Sequence, residues 1–140
     1  MRISILFLVV TALVLSSCKT APVSDFNKVK QIIETNTWYL QDESGDAIGF
    51  NGQPISLKFR NENGLHINGF AGCNNYNSTV EIMPDNIKFG NIMTTMMACP
   101  EMESEQAYLQ LLNLANGYEV SANEFRLYQD KILLIRFKAK

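Results

Sequence analysis

Two cysteines, Cys73 and Cys99, mark the ends of the stretch that most limits how this chain can fold. The stretch opens with GFAGCNNYN at residues 69–77 and closes with TTMMACP at residues 94–100. Between them lie two short runs in which apolar and polar residues alternate, which predicts a β-hairpin. A bond between the two thiols would therefore fasten a hairpin to the segment that follows it.

The N-terminus has the pattern of a secretion signal. Met1-Arg2 forms a short positive region, and the mostly apolar run at residues 3–15 is too short to span a bilayer comfortably. It ends in LSSC at residues 15–18, which resembles a bacterial lipobox and implies cleavage before Cys18 and lipid on its thiol. The alternative is an ordinary secretion signal, cut nearby, that leaves Cys18 as a free thiol.

Three segments follow from this interpretation. We predict a lipoprotein signal peptide at 1–17, a lipidated cysteine and tether at 18–35, and one domain at 36–140. Apolar residues at helical spacing around residues 26–33 predict a short amphipathic helix within the tether. A net charge of -2, with scattered Lys and Arg, does not indicate nucleic acid as a partner.

The signal also changes what the three cysteines can do. With lipid on Cys18, Cys73 and Cys99 are an even pair in an oxidising compartment, which favours a disulfide. That bond would close a loop of about 27 residues and stabilise the fold by roughly 3–4 kcal/mol. The alternative is two buried free thiols that pack as small hydrophobic side chains. A zinc site is less favoured, because two thiols without a nearby histidine fall short of four ligands.

Strand patterns fill most of the domain. A strand around Trp38, two hairpins and two C-terminal strands show apolar alternation, and a polar loop with three glycines at 42–52 could form the rim of a site. An apolar stripe through Tyr108, Leu111 and Leu112 predicts the one helix of the domain. We therefore predict an α+β fold: an antiparallel barrel-like sheet of about seven or eight strands packed on a single helix.

Several of these segments together resemble the META domain (HslJ-like) family. The matching positions are Trp38, Leu40, Phe59, GFAGCNNY at 69–76, TMMAC at 95–99, Glu105, Leu127 and Phe137. The chain departs from the family pattern at Ser78, Val80 and residues 129–131. The resemblance covers about residue 36 to the C-terminus. It implies links to heat shock, novobiocin tolerance and protozoan virulence, but it implies no reaction and no catalytic residue.

His66 and three acids are candidates for chemistry. His66 is the only histidine, falls at an outward strand position and has no Gly-x-Ser-x-Gly motif as a partner, so we predict no catalytic role. Glu101, Glu103 and Glu105 fall in the first turn of the predicted helix, where acids complement the helix dipole. Glu105 differs, because it matches the family's acidic position and is expected to bond to backbone near the cysteines.

Two further clusters lie beside the cysteines. Four methionines (Met93, Met96, Met97, Met102) suggest a copper(I) site, but filling of the core is the favoured interpretation, and we predict no metal. The polar residues Asn74, Asn75, Tyr76 and Asn77 could form a binding rim that recognises a partner's backbone or a glycan. Asparagine clusters more often satisfy their own turn.

The hypothesis is a non-enzymatic protein of the bacterial cell envelope, lipid-anchored and without a cofactor. The outer membrane is the favoured site of the anchor, with the domain in the periplasm or at the cell surface. Its role would be binding or quality control during envelope or antibiotic stress, with an unknown envelope protein or small ligand as partner. The alternatives are a ligand-binding or inhibitor lipoprotein acting through its loops, a soft-metal handler and an enzyme of unknown type.

Overall fold

The computed structural model describes residues 25–100 and 102–140, so the predicted signal peptide and Cys18 lie outside the described residues. The described part contains two helices and nine strands. In chain order they are α1 (Phe26–Thr35), β1 (Thr37–Leu40), β2 (Ser56–Asn61), β3 (Leu65–Phe70), β4 (Asn75–Ile82), β5 (Ile87–Phe89), β6 (Met93–Thr94), α2 (Met102–Leu114), β7 (Gly117–Val120), β8 (Glu124–Gln129) and β9 (Ile132–Ala139).

Eight of the strands form one antiparallel sheet in the order β5-β4-β3-β2-β1-β9-β8-β7, and β6 pairs with β4. The two ends of this sheet approach each other. The N–H of Ile87 on β5 donates to the carbonyl of Asn116, just before β7, at 3.2 Å. The hydroxyl of Tyr118 on β7 donates to the carbonyl of Met83 at 2.9 Å. The result is a nearly closed barrel, which confirms the predicted α+β, barrel-like antiparallel fold.

The core fills the barrel with the inward side chains of alternating strand positions. Trp38, Phe125 and Phe137 are fully buried at its centre. The ring centroids of Trp38 and Phe125 are 5.5 Å apart, and those of Phe125 and Phe137 are 5.9 Å apart. Aromatic rings in these arrangements bury large apolar areas, which is the main stabilising contribution in a domain of this size.

The structure corrects the prediction of a single packed helix, because α1 also packs on the barrel. Its N-terminus is capped by Asp25, whose Oδ1 accepts from the N–H of Asn27 at 3.0 Å. Val29 and Ile33 are buried in the core, and the indole N–H of Trp38 donates to the carbonyl of Ile33 at 3.2 Å. The apolar face of the helix that was assigned to a tether is therefore buried against the barrel. Residues 26–35 belong to the folded unit.

Candidate functional site

A disulfide between Cys73 and Cys99, with Cα atoms 6.0 Å apart, joins the turn between β3 and β4 to the segment before α2. This is the predicted pairing. We call residues 71–76 and 95–99, together with Glu105, the cysteine corner. Gly72 begins the turn with φ of +113°, a backbone conformation that side-chain-bearing residues rarely adopt. The turn and the disulfide together fix where the following residues point.

Glu105 is buried at the centre of the cysteine corner. Its Oε2 accepts from the backbone N–H groups of Cys73 at 3.1 Å and Asn74 at 2.5 Å. Its Oε1 accepts from the side-chain amide of Asn74 at 2.9 Å. The expected bond from Glu105 to backbone near the cysteines is therefore present. Glu103 is exposed in the first turn of α2, and Glu101 is outside the described residues.

Asn74 connects the two halves of the corner through its side chain. Its Oδ1 accepts from the N–H of Met97 at 2.7 Å and from the hydroxyl of Thr95 at 2.8 Å. Its Nδ2 donates to the carbonyl of Met97 at 3.1 Å as well as to Glu105. The amide thus pairs with Met97 as a neighbouring strand would. Both polar atoms of the Asn74 side chain are thus hydrogen-bonded within the corner, and neither is available to a ligand at a binding rim.

Tyr76 also points inward, where its hydroxyl lies 2.8 Å from that of Tyr108 on α2. The Tyr76 hydroxyl is also 3.0 Å from the carbonyl of Ser56. Burial raises the pKa of both tyrosines above their ordinary value of 10.0. This pair was not predicted. The sequence offered one general indication of it, because the hydroxyl of a buried tyrosine usually has a hydrogen-bond partner.

Asn75 and Asn77 point outward, so the structure separates them from Asn74 and Tyr76. They line an open groove of about 480 Å³ on the outer face of the sheet. We call it the polar groove; its other polar lining residues are Gln53, Ser56, Asn68, Thr94 and Thr95. Of the four predicted rim residues, Asn75 and Asn77 present their side chains to this groove, Tyr76 borders it with its side chain directed into the core, and Asn74 lies outside it.

A second cavity, of about 270 Å³, lies on the other side of Cys73 beneath the loop at 42–52. We call it the loop pocket. Leu40, Ile55 and Tyr108 line it together with the disulfide, and Asp42, Ser104 and Glu105 add polar groups to its wall. The N–H of Phe50 donates to the carbonyl of Gly72 at 2.8 Å and holds the loop against the cysteine corner. The loop predicted as a rim does border a cavity.

Large apolar side chains surround this region. Ile48 and Phe50 are 54% and 59% exposed, and Met93, Met96 and Met97 are 61%, 99% and 54% exposed. The interpretation of the methionines as core filling is wrong for these three. Their segment forms only a two-residue strand on the outside of the barrel and then an irregular loop. Met102 is half-buried at the start of α2.

His66 lies on β3, paired in register with Arg60 on β2 and Thr79 on β4, and is half-buried. Within residues 25–100 and 102–140, no three His, Cys, Asp or Glu residues are grouped closely enough to hold a metal ion. In the same residues, neither helix has the length and hydropathy that a bilayer span requires.

These features define a small α+β barrel domain with one corner held by a disulfide and a buried glutamate. The chain belongs to the META domain family, whose model matches residues 31–140. The match begins inside α1, in agreement with the packing of that helix on the barrel. No curated protein matches the chain.

Solved structures share this fold. A protein from Burkholderia xenovorans, determined by NMR, is 26% identical with a TM-score of 0.63; the match covers 86% of this chain and 92% of that one. A second NMR structure is 16% identical, with a TM-score of 0.59 and coverage of 77% and 92%. A DUF4847 family protein from Bacteroides vulgatus is 16% identical, with a TM-score of 0.57 and coverage of 79% and 96%. The last two show the fold alone.

Proposed function

We propose that this META-domain protein is lipid-anchored in the bacterial cell envelope and binds apolar segments of other envelope proteins without enzymatic activity. The observation that carries the proposal is the set of exposed apolar side chains beside the cysteine corner: Ile48, Phe50, Met93, Met96 and Met97. Exposed apolar patches of this kind mark interaction surfaces. Methionine side chains adapt to many partner shapes, which suits a protein that holds varied clients.

The rigidity of the corner supports this role. Phe50 is held through Gly72, and Met97 is held by Asn74. The disulfide fastens Cys99, two residues beyond Met97. A surface whose backbone is already ordered loses less conformational entropy when a partner binds.

The compartment is supported by two independent features. The LSSC sequence at residues 15–18 resembles a lipobox, and the Cys73–Cys99 disulfide is a bond that persists in oxidising compartments.

A role without catalysis is supported by the hydrogen bonds that already occupy the polar side chains of the corner. Both oxygens of Glu105 and both polar atoms of the Asn74 amide are bonded within it.

An aggregation assay tests the binding role directly. The mature protein is mixed with a reduced, unfolded secretory protein, and light scattering follows the aggregation of that client. We expect suppression by the wild type and at least a three-fold loss of suppression in Phe50→Ser/Met96→Ser. Ile132→Ser is the matched control, because Ile132 is an exposed apolar residue on β9. Equal suppression by all three proteins, or none by the wild type, would contradict the proposal.

A second candidate function is binding of a small ligand in the loop pocket, favoured by the loop at 42–52 that borders it. Its volume of about 270 Å³ is slightly below the range of typical ligand sites. Ala47 lines this pocket, so Ala47→Trp would fill it. If the small ligand is the function, Ala47→Trp abolishes ligand binding. If client holding is the function, Ala47→Trp leaves the aggregation assay unchanged.

A further inference from the structure

We propose that the polar groove binds a neutral oligosaccharide. The groove shares the segment at 93–95 with the exposed methionines, but its lining includes neither Phe50 nor Met96, and it needs neither the lipid anchor nor a protein client. Its volume of about 480 Å³ falls within the range of ligand sites. The two proposals can therefore fail separately.

The chemistry of the lining selects for neutral, polar ligands. The lining contains the amides of Gln53, Asn68, Asn75 and Asn77 and the hydroxyls of serine and threonine, and it contains no charged residue. Amides and hydroxyls each donate and accept hydrogen bonds, as do the hydroxyl and N-acetyl groups of a sugar. Arg60 touches this lining, where its Nε–H donates to Oδ1 of Asn68 at 3.0 Å, but its charge is balanced by Glu62 at 3.5 Å.

Two of these amides are available to a ligand. Asn75 and Asn77 are exposed, and within the described residues their side chains make no hydrogen bond. Asn74, in contrast, uses its amide fully inside the corner. Below them lies the buried ring of Phe70, which shares their face of the sheet because Phe70 pairs in register with Asn75. The groove therefore presents unpaired amides on a rigid base.

The backbone of the groove disfavours a peptide as the ligand. Peptides in sheet grooves commonly add a strand to an open edge. Here β4 is paired with β3 on one side and with β6 on the other. Beyond β6, the N–H of Thr95 donates to the carbonyl of Asn75 at 3.0 Å. A peptide strand therefore cannot pair with β4 along this groove, which favours recognition through side chains, as in the binding of sugars.

Saturation-transfer difference NMR tests the inference on the mature chain as it is purified from the cell. The probes are chitotriose, which carries N-acetyl groups, and maltotriose, which does not. We expect saturation transfer to at least one sugar, with a dissociation constant of about 1–10 mM, because the ring of Phe70 is buried and cannot stack on a sugar. A capped neutral tripeptide at the same concentration serves as the competing ligand.

The variant Asn75→Ala/Asn77→Ala is expected to reduce the sugar signal at least five-fold. Asn123→Ala, an exposed asparagine outside the groove, is expected to leave it unchanged. Circular dichroism and Tm of both variants establish that they remain folded. The inference is overturned if neither sugar receives saturation at about 20 mM. It is also overturned if the double variant keeps the wild-type signal, or if the tripeptide displaces the sugar at equal concentration.

Discussion

At the scale of single residues, side chains in the cysteine corner replace missing strand pairing. Asn74 pairs with Met97 as a backbone would, and Glu105 accepts the N–H groups that the turn leaves without partners. The role of Glu105 could be predicted, because it matches the family's acidic position. The split between inward Asn74 and outward Asn75 and Asn77 could not. The split depends on which residues of β4 face the core and which face outward. The turn at Gly72 fixes that alternation.

Glu105→Gln is predicted to lower the free energy of unfolding by about 3 kcal/mol, because the new amide cannot accept from all three donors. Urea denaturation of the mature protein measures this loss. Glu103→Gln is the matched control, since Glu103 is exposed on the same helix, and we expect a change within about 0.5 kcal/mol. A loss below about 1 kcal/mol in Glu105→Gln would contradict the assigned role.

The buried tyrosine pair predicts a loss of stability at alkaline pH. In the unfolded chain tyrosine ionises with a pKa near 10.0, whereas burial raises the pKa of Tyr76 and Tyr108 above that value in the folded state. Above pH 10 the folded protein therefore binds more protons than the unfolded chain, and stability falls as pH rises. Each tyrosine contributes a slope of about 1.4 kcal/mol per pH unit.

Denaturation curves between pH 8 and pH 11 measure this slope, and tyrosinate absorbance reports ionisation directly. Tyr108→Phe removes one titrating hydroxyl, so we expect its slope above pH 10 to be shallower than that of the wild type. Equal slopes in the two proteins would show that the buried pair does not control the alkaline transition.

At the scale of elements, the alternating patterns of the two hairpins were interpreted correctly, whereas the packing of α1 was not. The hairpins β2–β3 and β4–β5 were predicted from their alternation. The segment at 92–97, by contrast, forms only the two-residue β6 and then an irregular loop. The stripe of α1 was recognised, yet its packing was not. An apolar stripe shows that a helix has a buried face but not which surface covers it.

Ile33→Ala is predicted to lower the free energy of unfolding by about 3 kcal/mol, because it opens a cavity where α1 meets the core. Gln31→Ala on the exposed face of the same helix is the control, with an expected change within about 0.5 kcal/mol. If Ile33→Ala unfolds at the same urea concentration as the wild type, α1 is a tether and not part of the folded unit.

At the scale of the whole molecule, the barrel presents two cavities on either side of one fixed corner. The loop at 42–52 and the segment at 93–97 meet the corner through Phe50 and Met97, so a single disulfide orders both surfaces. The barrel-like class followed from the order of strand and helix patterns. One wall of each cavity was indicated by the sequence, namely the loop at 42–52 and the pair Asn75 and Asn77, but the opposite walls were not, because they come from residues far apart in sequence.

The intact mass of the mature protein from its native membrane tests the central claim, a lipid-anchored domain with a disulfide-bonded corner. The mass is measured with and without reductant, followed by alkylation. We predict a mass that places acyl groups on Cys18, and two alkylated thiols, at Cys73 and Cys99, only after reduction. Alkylation of Cys73 and Cys99 without reductant would contradict the structural account of the corner and favour a thiol–methionine metal site. An unmodified Cys18 would contradict the lipid anchor.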